Sequence, residues 1–303
     1  MSSIILGVWP LAGITSGAVD PETARQTIHA AIDAGIDTFD SAFSYGYEGE
    51  SERLLGEVLR ARRGQAAADN RPLRVIGKVG QRWSGDKKRY TDGTPKQLTL
   101  DAEESLRRLG IEKFDWLLLH AIDPKVDLMR SAEALLQLQR RGLADALGIC
   151  NVNAEELTQF AQYVDCAAIQ CPLNLLQRHS LDPLIRTAQS LGAECFVYWT
   201  LMKGLLAGQI SRDHQFDAAD SRPGYAIFQG EQRRRAHDVI DLLENIAQRF
   251  DTTVARLAIG WALSQPGVTG ALVGAKSPEQ IRETAAAGPL SDELLAEITA
   301  IAP

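Results

Sequence analysis

The chain has 303 residues, 45% of them hydrophobic, with 25 Gly, 12 Pro and 5 Trp, a composition that excludes a disordered, fibrous or collagen-like polymer. Its 32 basic and 39 acidic residues leave a net charge of -7, which opposes attraction to nucleic-acid phosphates and to anionic lipid. No run approaches the ~20 apolar residues of a membrane helix, and the opening MSSIILGVWPLAG lacks the basic region and cleavage pattern of a secretory signal, so no membrane partner and a cytoplasmic location are expected.

In chain order, short apolar runs at 4–8, 36–39, 73–77, 114–119, 144–149, 167–170, 194–199 and 269–273 alternate with amphipathic stretches. Eight such units, with no Pro/Gly/Ser linker between them, predict an α/β fold: a (β/α)8 TIM barrel formed by one domain over 1–303. At 23–34, Thr27, Ile28, Ala31 and Ile32 share a helical face, and at 50–62 Leu54, Leu55, Val58 and Leu59 do the same. Glu22, Asp101 and Glu103 are expected near helix starts, and Arg107, Arg108, Arg140 and Arg141 near helix ends, where each charge suits the dipole. Gly110, Gly142 and Gly192 fall where a helix C-terminus favours a left-handed residue. The polar stretch 209–230 holds Pro223, Gly224 and Gly230 and predicts a long loop folded over a site. Cys150, Cys166, Cys171 and Cys195 form no CxxC pair; they read as buried reduced thiols, and no metal site is expected.

Function in such a barrel collects at the C-terminal ends of the strands. Asp40, Lys78 and His120 each follow an apolar run, and Tyr45 lies five residues beyond Asp40. Any one of these alone is satisfied by a role in capping or packing. Converging on one rim, they describe acid catalysis by a phenol: an adjacent ammonium, Lys78, should lower the pKa of Tyr45, Asp40 should hold Lys78 charged, and His120 should position a carbonyl oxygen. Tyr47 is the competing phenol, and the spacing from Asp40 favours Tyr45.

These residues resemble the aldo-keto reductase family. The segment Asp40-Ser41-Ala42-Phe43-Ser44-Tyr45-Gly46 meets its Asp, small, Ala, two residues, Tyr, Gly pattern, and Glu50-Ser51-Glu52-Arg53-Leu54-Leu55-Gly56 follows as the family's Glu-rich helix. Lys78 in Ile76-Gly77-Lys78-Val79 and His120 in Asp115-Trp116-Leu117-Leu118-Leu119-His120 supply the remaining catalytic pair. The resemblance covers nearly the whole chain and implies an NADPH-dependent oxidoreductase acting on a carbonyl, alcohol or sugar. It further implies that Asn151, in Gly148-Ile149-Cys150-Asn151, and Gln170 hold the nicotinamide carboxamide, that the Tyr198 ring stacks on the nicotinamide, and that Trp9, Asp40, Trp199, Leu201 and Gly204 belong to the cofactor shell. The segment Val273-Gly274-Ala275-Lys276-Ser277-Pro278-Glu279-Gln280 resembles the adenosine-phosphate loop, with Gly274, Lys276 and Gln280 as its contacts and Lys276 favouring the 2′-phosphate of NADP. The chain departs from the family at Trp199-Thr200-Leu201, where Ser-Pro-Leu is usual, at Thr284 in place of Asn, and at Cys150 in place of Ser. The hairpin that commonly plugs the barrel underside is expected to be absent or short.

Two other readings stay open at this stage. One is a non-catalytic NADP-binding regulatory subunit like the β-subunits of potassium channels, against which His120 argues. The other is a cofactor-free lyase or aldolase using Lys78 as a Schiff base. Trp9, Phe43 and Trp83 are candidates for pocket walls, whereas Lys87, Lys88 and Arg89 offer charge to an anionic group but read first as a solvated charge run. No pattern specifies an oligomeric state.

Overall fold

The structure is a computed structural model, and it describes residues 3–14, 17–68, 71–218 and 220–302. Eight parallel strands close into a barrel in the order β1 (Ile4–Gly7), β2 (Thr38–Asp40), β3 (Arg74–Val79), β6 (Phe114–Leu119), β7 (Ala144–Cys150), β8 (Cys166–Pro172), β9 (Glu194–Tyr198) and β10 (Gly270–Gly274), which returns to β1. Helices α1 (Pro21–Asp33), α2 (Glu50–Ala68), α3 (Pro95–Leu109), α4 (Leu128–Arg140), α5 (Ala154–Phe160), α6 (Arg186–Ser190), α7 (Gly230–Arg249), α8 (Val254–Leu263) and α9 (Pro278–Ala285) wrap the outside, and α10 (Asp292–Ile301) ends the chain. Every run predicted as a strand lies on one of the eight barrel strands.

Because successive strand residues alternate between faces, the barrel sorts its apolar residues into two cores. The outward set, from Leu6 and Phe39 to Val197 and Val273, packs beneath the helices. The inward set is smaller: Ile5, Ile76, Leu118, Cys150, Ala168, Phe196 and Leu272, with Trp116 and Tyr198 at its margins. Gly148 in β7 is inward and required, since a Cβ there would stand 2.1 Å from the Ala168 carbonyl oxygen and 2.4 Å from Leu118. At the underside, where the strands begin, Trp116 sets its ring edge-on to Phe196 at 5.5 Å and donates from Nε1 to the Glu194 carboxylate at 2.9 Å. These side chains from β6 and β9 therefore floor the barrel.

Gly110 adopts φ 63° and closes α3 with a bond from its N–H to the Leu106 carbonyl, as the sequence predicts. The helix-start expectation for Asp101 and Glu103 is overturned, since α3 has no acidic residue in its first turn. The first residue of α3 is Pro95, so Asp101 lies in the second turn, fully buried; its carboxylate pairs with Arg82 and accepts from the Gly80 backbone N–H at 3.2 Å and from Gln97 at 3.0 Å. Those bonds tether an element that the sequence pattern did not announce, an antiparallel hairpin of β4 (Gln81–Trp83) and β5 (Arg89–Thr91) rising from the top of β3. The run 87–89, expected to be a solvated charge run, thus ends in a strand whose Arg89 faces Trp83 across the ladder. Among the described residues, no helix is long and apolar enough to cross a membrane.

Candidate active site

The closed barrel brings the four predicted catalytic side chains to one rim. Asp40 is the last residue of β2, Lys78 is the penultimate residue of β3, and His120 follows β6 directly. Tyr45 sits in the loop after β2, which is pinned from three directions: the Ser41 N–H donates to Ile76, the Phe43 N–H donates to Lys78, and the Ser51 hydroxyl donates to the Tyr45 carbonyl at 2.7 Å. The loop is also clamped through Phe43, whose ring carries the Arg82 guanidinium at 4.8 Å and the Arg108 guanidinium at 4.7 Å. Each of those arginines is paired with a buried acid, Asp101 and Glu52 respectively.

Asp40 and Lys78 are buried and form an ion pair, and the Lys78 ammonium also donates to the Ser41 carbonyl at 2.9 Å. The Asp40 carboxylate accepts two further bonds, from the Tyr45 hydroxyl at 3.2 Å and from the Gln170 amide at 2.6 Å. Lys78 Nζ stands 4.7 Å from the centre of the Tyr45 ring, and the His120 ring meets that ring edge-on at 6.0 Å. His120 Nδ1 is buried with no hydrogen-bond partner.

One electrostatic expectation is corrected. The phenol was expected to be acidified by Lys78, but its pKa lies well above the ordinary value for tyrosine, first through burial and then through the Asp40 charge. The reason is geometric. The ammonium is spent on Asp40 and lies over the ring, while the hydroxyl itself points at the carboxylate. Tyr45 is therefore a neutral phenol, loaded with its proton. His120 is pushed the other way, well below the ordinary imidazole value, by burial and by the positive charges of Lys78 and Arg89, so it too is neutral near pH 7.

Beside this cluster, the tops of β7, β8 and β9 present a row of polar and aromatic groups. Asn151 adopts φ 56°, a left-handed conformation that Asn tolerates better than most residues, and its amide donates to the His120 carbonyl at 2.7 Å while accepting from the Tyr198 hydroxyl at 2.6 Å. Trp199, Met202 and Lys203 also take positive φ, at 59°, 42° and 54°, with Gly204 at 94°. Bulky residues held in this region store strain, and its concentration just past β9 marks a backbone shaped for something other than stability. Leu201 is partly buried, and its carbonyl accepts from Gly204 and Leu206 within this turn.

In the polar stretch the described residues 209–218 and 220–230 include short helical turns at Arg222–Gly224 and Ala226–Phe228. Phe228 is buried against Phe216 at 5.6 Å, while Tyr225 meets Trp199 at 5.8 Å and receives the Lys203 ammonium over its ring at 4.4 Å. Arg222 chelates Asp220, and both act on Lys276, whose pKa is lowered first by burial and then by Arg222. Gln280 serves the loop itself, accepting from the Lys276 N–H at 2.8 Å. Gly274 lies at the end of β10 against Pro10, and Thr284 spends its hydroxyl on the Gln280 carbonyl. Trp9 meets the Tyr45 ring at 5.1 Å from the opposite side. Tyr47 is more than a third exposed and meets the Trp83 ring edge-on at 5.1 Å.

Sequence reasoning missed Arg222, Lys203 and Tyr225, all on the turn after β9 or the polar stretch. Their signal was available only as an Arg-Pro-Gly turn in a polar stretch. All four cysteines are buried and free, as expected.

The comparisons with known proteins agree with this geometry. The model of the Aldo/keto reductase family matches residues 3–303. Among curated relatives, Aldo-keto reductase YhdN of Bacillus subtilis (strain 168) is 29% identical over 92% of this chain and 83% of its own length. The NADH-specific methylglyoxal reductase of Escherichia coli (strain K12) is 30% identical over 95% of this chain and 90% of its own. The solved glycerol dehydrogenase AKR11B4 from Gluconobacter oxydans superposes with a TM-score of 0.88 at 31% identity, covering 99% of this chain and 91% of that one. With barrel, rim and relatives in agreement, this chain belongs to the aldo/keto reductase family and is an NAD(P)-dependent oxidoreductase of carbonyl compounds.

Proposed function

We propose that this protein is an NADPH-dependent carbonyl reductase in which Tyr45 gives the substrate oxygen its proton. The observation that carries the reading is the Tyr45 hydroxyl held against the Asp40–Lys78 pair beside the unpartnered Nδ1 of His120. In this reading the His120 ring fixes the carbonyl oxygen next to the Tyr45 hydroxyl. The proton leaves the phenol for that oxygen, and the resulting phenolate is stabilised by the ammonium that already lies 4.7 Å from the ring centre. Asp40 keeps Lys78 charged and in place throughout.

The residues fit a nicotinamide dinucleotide. Asn151 and Gln170 offer two side-chain amides at adjacent strand ends to a carboxamide, Tyr198 offers a ring face, and the strained turn containing Trp199, Leu201 and Gly204 lies where the linking phosphates would run. The cofactor, when bound, supplies the hydride. Lys276 lies beside Arg222, whose own charge is paired to Asp220, and this lysine is what favours the 2′-phosphate and hence NADPH, although the E. coli relative is named for NADH. Aldehydes, ketones or sugars are the proposed substrates, and the four buried reduced thiols suit a cytoplasmic setting.

Nucleotide binding by fluorescence, with and without Lys276→Ala, tests the cofactor assignment. Loss of one charge-assisted contact should weaken NADPH about tenfold or more while changing NADH much less. Equal weakening of both nucleotides would remove Lys276 from the 2′-phosphate role.

A further inference from the structure

The hairpin beside the Tyr45 loop contains a cation with no assigned task. Arg89, in β5 of the hairpin, places its guanidinium 4.8 Å from the ring centres of both Trp9 and Trp83. Trp83 is fixed in turn, because its indole N–H donates to the Ser44 carbonyl at 2.9 Å, one residue before Tyr45. Trp9 is the same ring that meets Tyr45 at 5.1 Å, so the guanidinium is no farther from the phenol ring than those two ring contacts laid end to end. Its electrostatic neighbours are the Tyr45 and Tyr225 phenols, and its charge reaches His120.

Charge balance makes this placement informative. Every other arginine clamping the catalytic loop has its own acid: Arg82 has Asp101, and Arg108 has Glu52 and Glu104. Among the described residues, no carboxylate pairs with Arg89 and no hydrogen bond satisfies its donors. Aromatic faces stack on the guanidinium plane and leave its N–H edge open to solvent and to an incoming anion. That edge is a fork suited to two oxygens of one anion. Arg89 is itself exposed, so water meets that edge and an anion can displace it; what separates it from Lys88, which pairs with Asp86, is that no acid claims it and two indoles hold it beside the Tyr45 loop.

We propose that Arg89 is the specificity residue of this pocket, selecting carbonyl substrates that carry a carboxylate or phosphate within a few atoms of the carbonyl. This rests on the reading of Tyr45 as proton donor in the same pocket. In it, the anion bridges to the open edge of Arg89 while the carbonyl reaches Tyr45 and His120, and Trp9 and Trp83 hold the guanidinium in place without neutralising it.

Steady-state kinetics on two matched pairs tests the proposal: 4-carboxybenzaldehyde against 4-nitrobenzaldehyde, and glyceraldehyde 3-phosphate against glyceraldehyde. The wild type should prefer the charged member of at least one pair, and which pair responds separates carboxylate from phosphate. In Arg89→Gln the charged-to-neutral ratio of kcat/KM should fall by about tenfold to a hundredfold, through KM for the charged member. Arg89→Lys, which keeps the charge and loses the fork, should recover part of that ratio. Tyr45→Phe should instead depress kcat for both members and leave the ratio in place, so a failure of the acid assignment is read separately. No charge preference in the wild type, or an equal loss on both members in Arg89→Gln, would overturn the role of Arg89 and make it a stacking residue of the hairpin.

Discussion

At Tyr45 the chemistry is decided by which partner the hydroxyl faces. A phenol whose oxygen met the ammonium would lose its proton more easily, whereas this one donates to Asp40 at 3.2 Å and has the ammonium over its ring. With these shifts Tyr45 stays protonated and His120 stays uncharged across the neutral range, and the raised pKa makes the resting phenol a weaker acid, so its proton leaves only as negative charge develops on the substrate oxygen beside it. The sign follows directly: Tyr45, with its pKa raised, deprotonates only on the alkaline side, and His120, with its pKa lowered, protonates only on the acid side. Saturating carbonyl reduction should therefore be flat from about pH 6 to about pH 9, while alcohol oxidation, which needs the phenolate, should rise roughly tenfold per pH unit over the same range. A reduction profile that falls with an apparent pKa between those limits would contradict the assignment. The sequence supplied all four side chains and their order; it did not supply the direction of the Tyr45 hydroxyl, which depends on three-dimensional competition between Asp40 and Lys78.

Among the elements, α2 and α3 hold the catalytic loop through Glu52 and Arg108. Glu52 is fully buried, and burial lifts its pKa to about 7 despite the neighbouring Ser105 hydroxyl and Arg108 at 3.1 Å. A carboxyl whose folded pKa exceeds its unfolded value binds its proton more tightly in the native state. Stability from this group is therefore present below about pH 4.5 and is lost as pH rises to about 7, by roughly 3 kcal/mol. Glu52→Gln, which leaves Arg108 paired to Glu104 at 2.9 Å, should flatten that part of the stability profile measured by urea unfolding. An unchanged pH slope would show that Glu52 is ionised throughout. The helices and barrel strands were legible because apolar periodicity and glycine caps repeat along the chain. The β4–β5 hairpin was not, because Gln81–Trp83 and Arg89–Thr91 carry no alternating apolar pattern; they are held by Arg82 reaching Asp101 and by aromatic–cation contacts. For the same reason Asp101 looked like a helix-start charge, when it is the buried anchor of that hairpin.

For the molecule as a whole, the barrel separates a floor that provides stability from a rim that provides chemistry. Trp116, Phe196 and Ile5 fill the underside, and a Cβ on Gly270 would stand 2.9 Å from Ile5 and 3.2 Å from Phe196, which shows how closely that layer is packed. Trp116→Ala should reduce unfolding free energy by about 3 kcal/mol, read from urea denaturation, while the folded fraction keeps its turnover. A loss of turnover in the folded fraction would mean that the two ends are coupled. The rim residues come from β2, β3, β6, β7 and β8 and from the loops beyond β9, so their convergence needs the closed sheet; the sequence could name Asp40, Lys78 and His120 only once the barrel was assumed, and Asn151 and Gln170 only through the family resemblance. The polar stretch with Arg222 and Tyr225 lay beyond that reach, since its contacts are long-range and its composition is only polar. Single-turnover hydride transfer, with reduced nucleotide already bound, tests the central claim most directly by comparing the wild type with Tyr45→Phe. The account predicts that the variant binds nucleotide normally and transfers hydride ~10²–10⁴-fold more slowly. Transfer at the wild-type rate would contradict it.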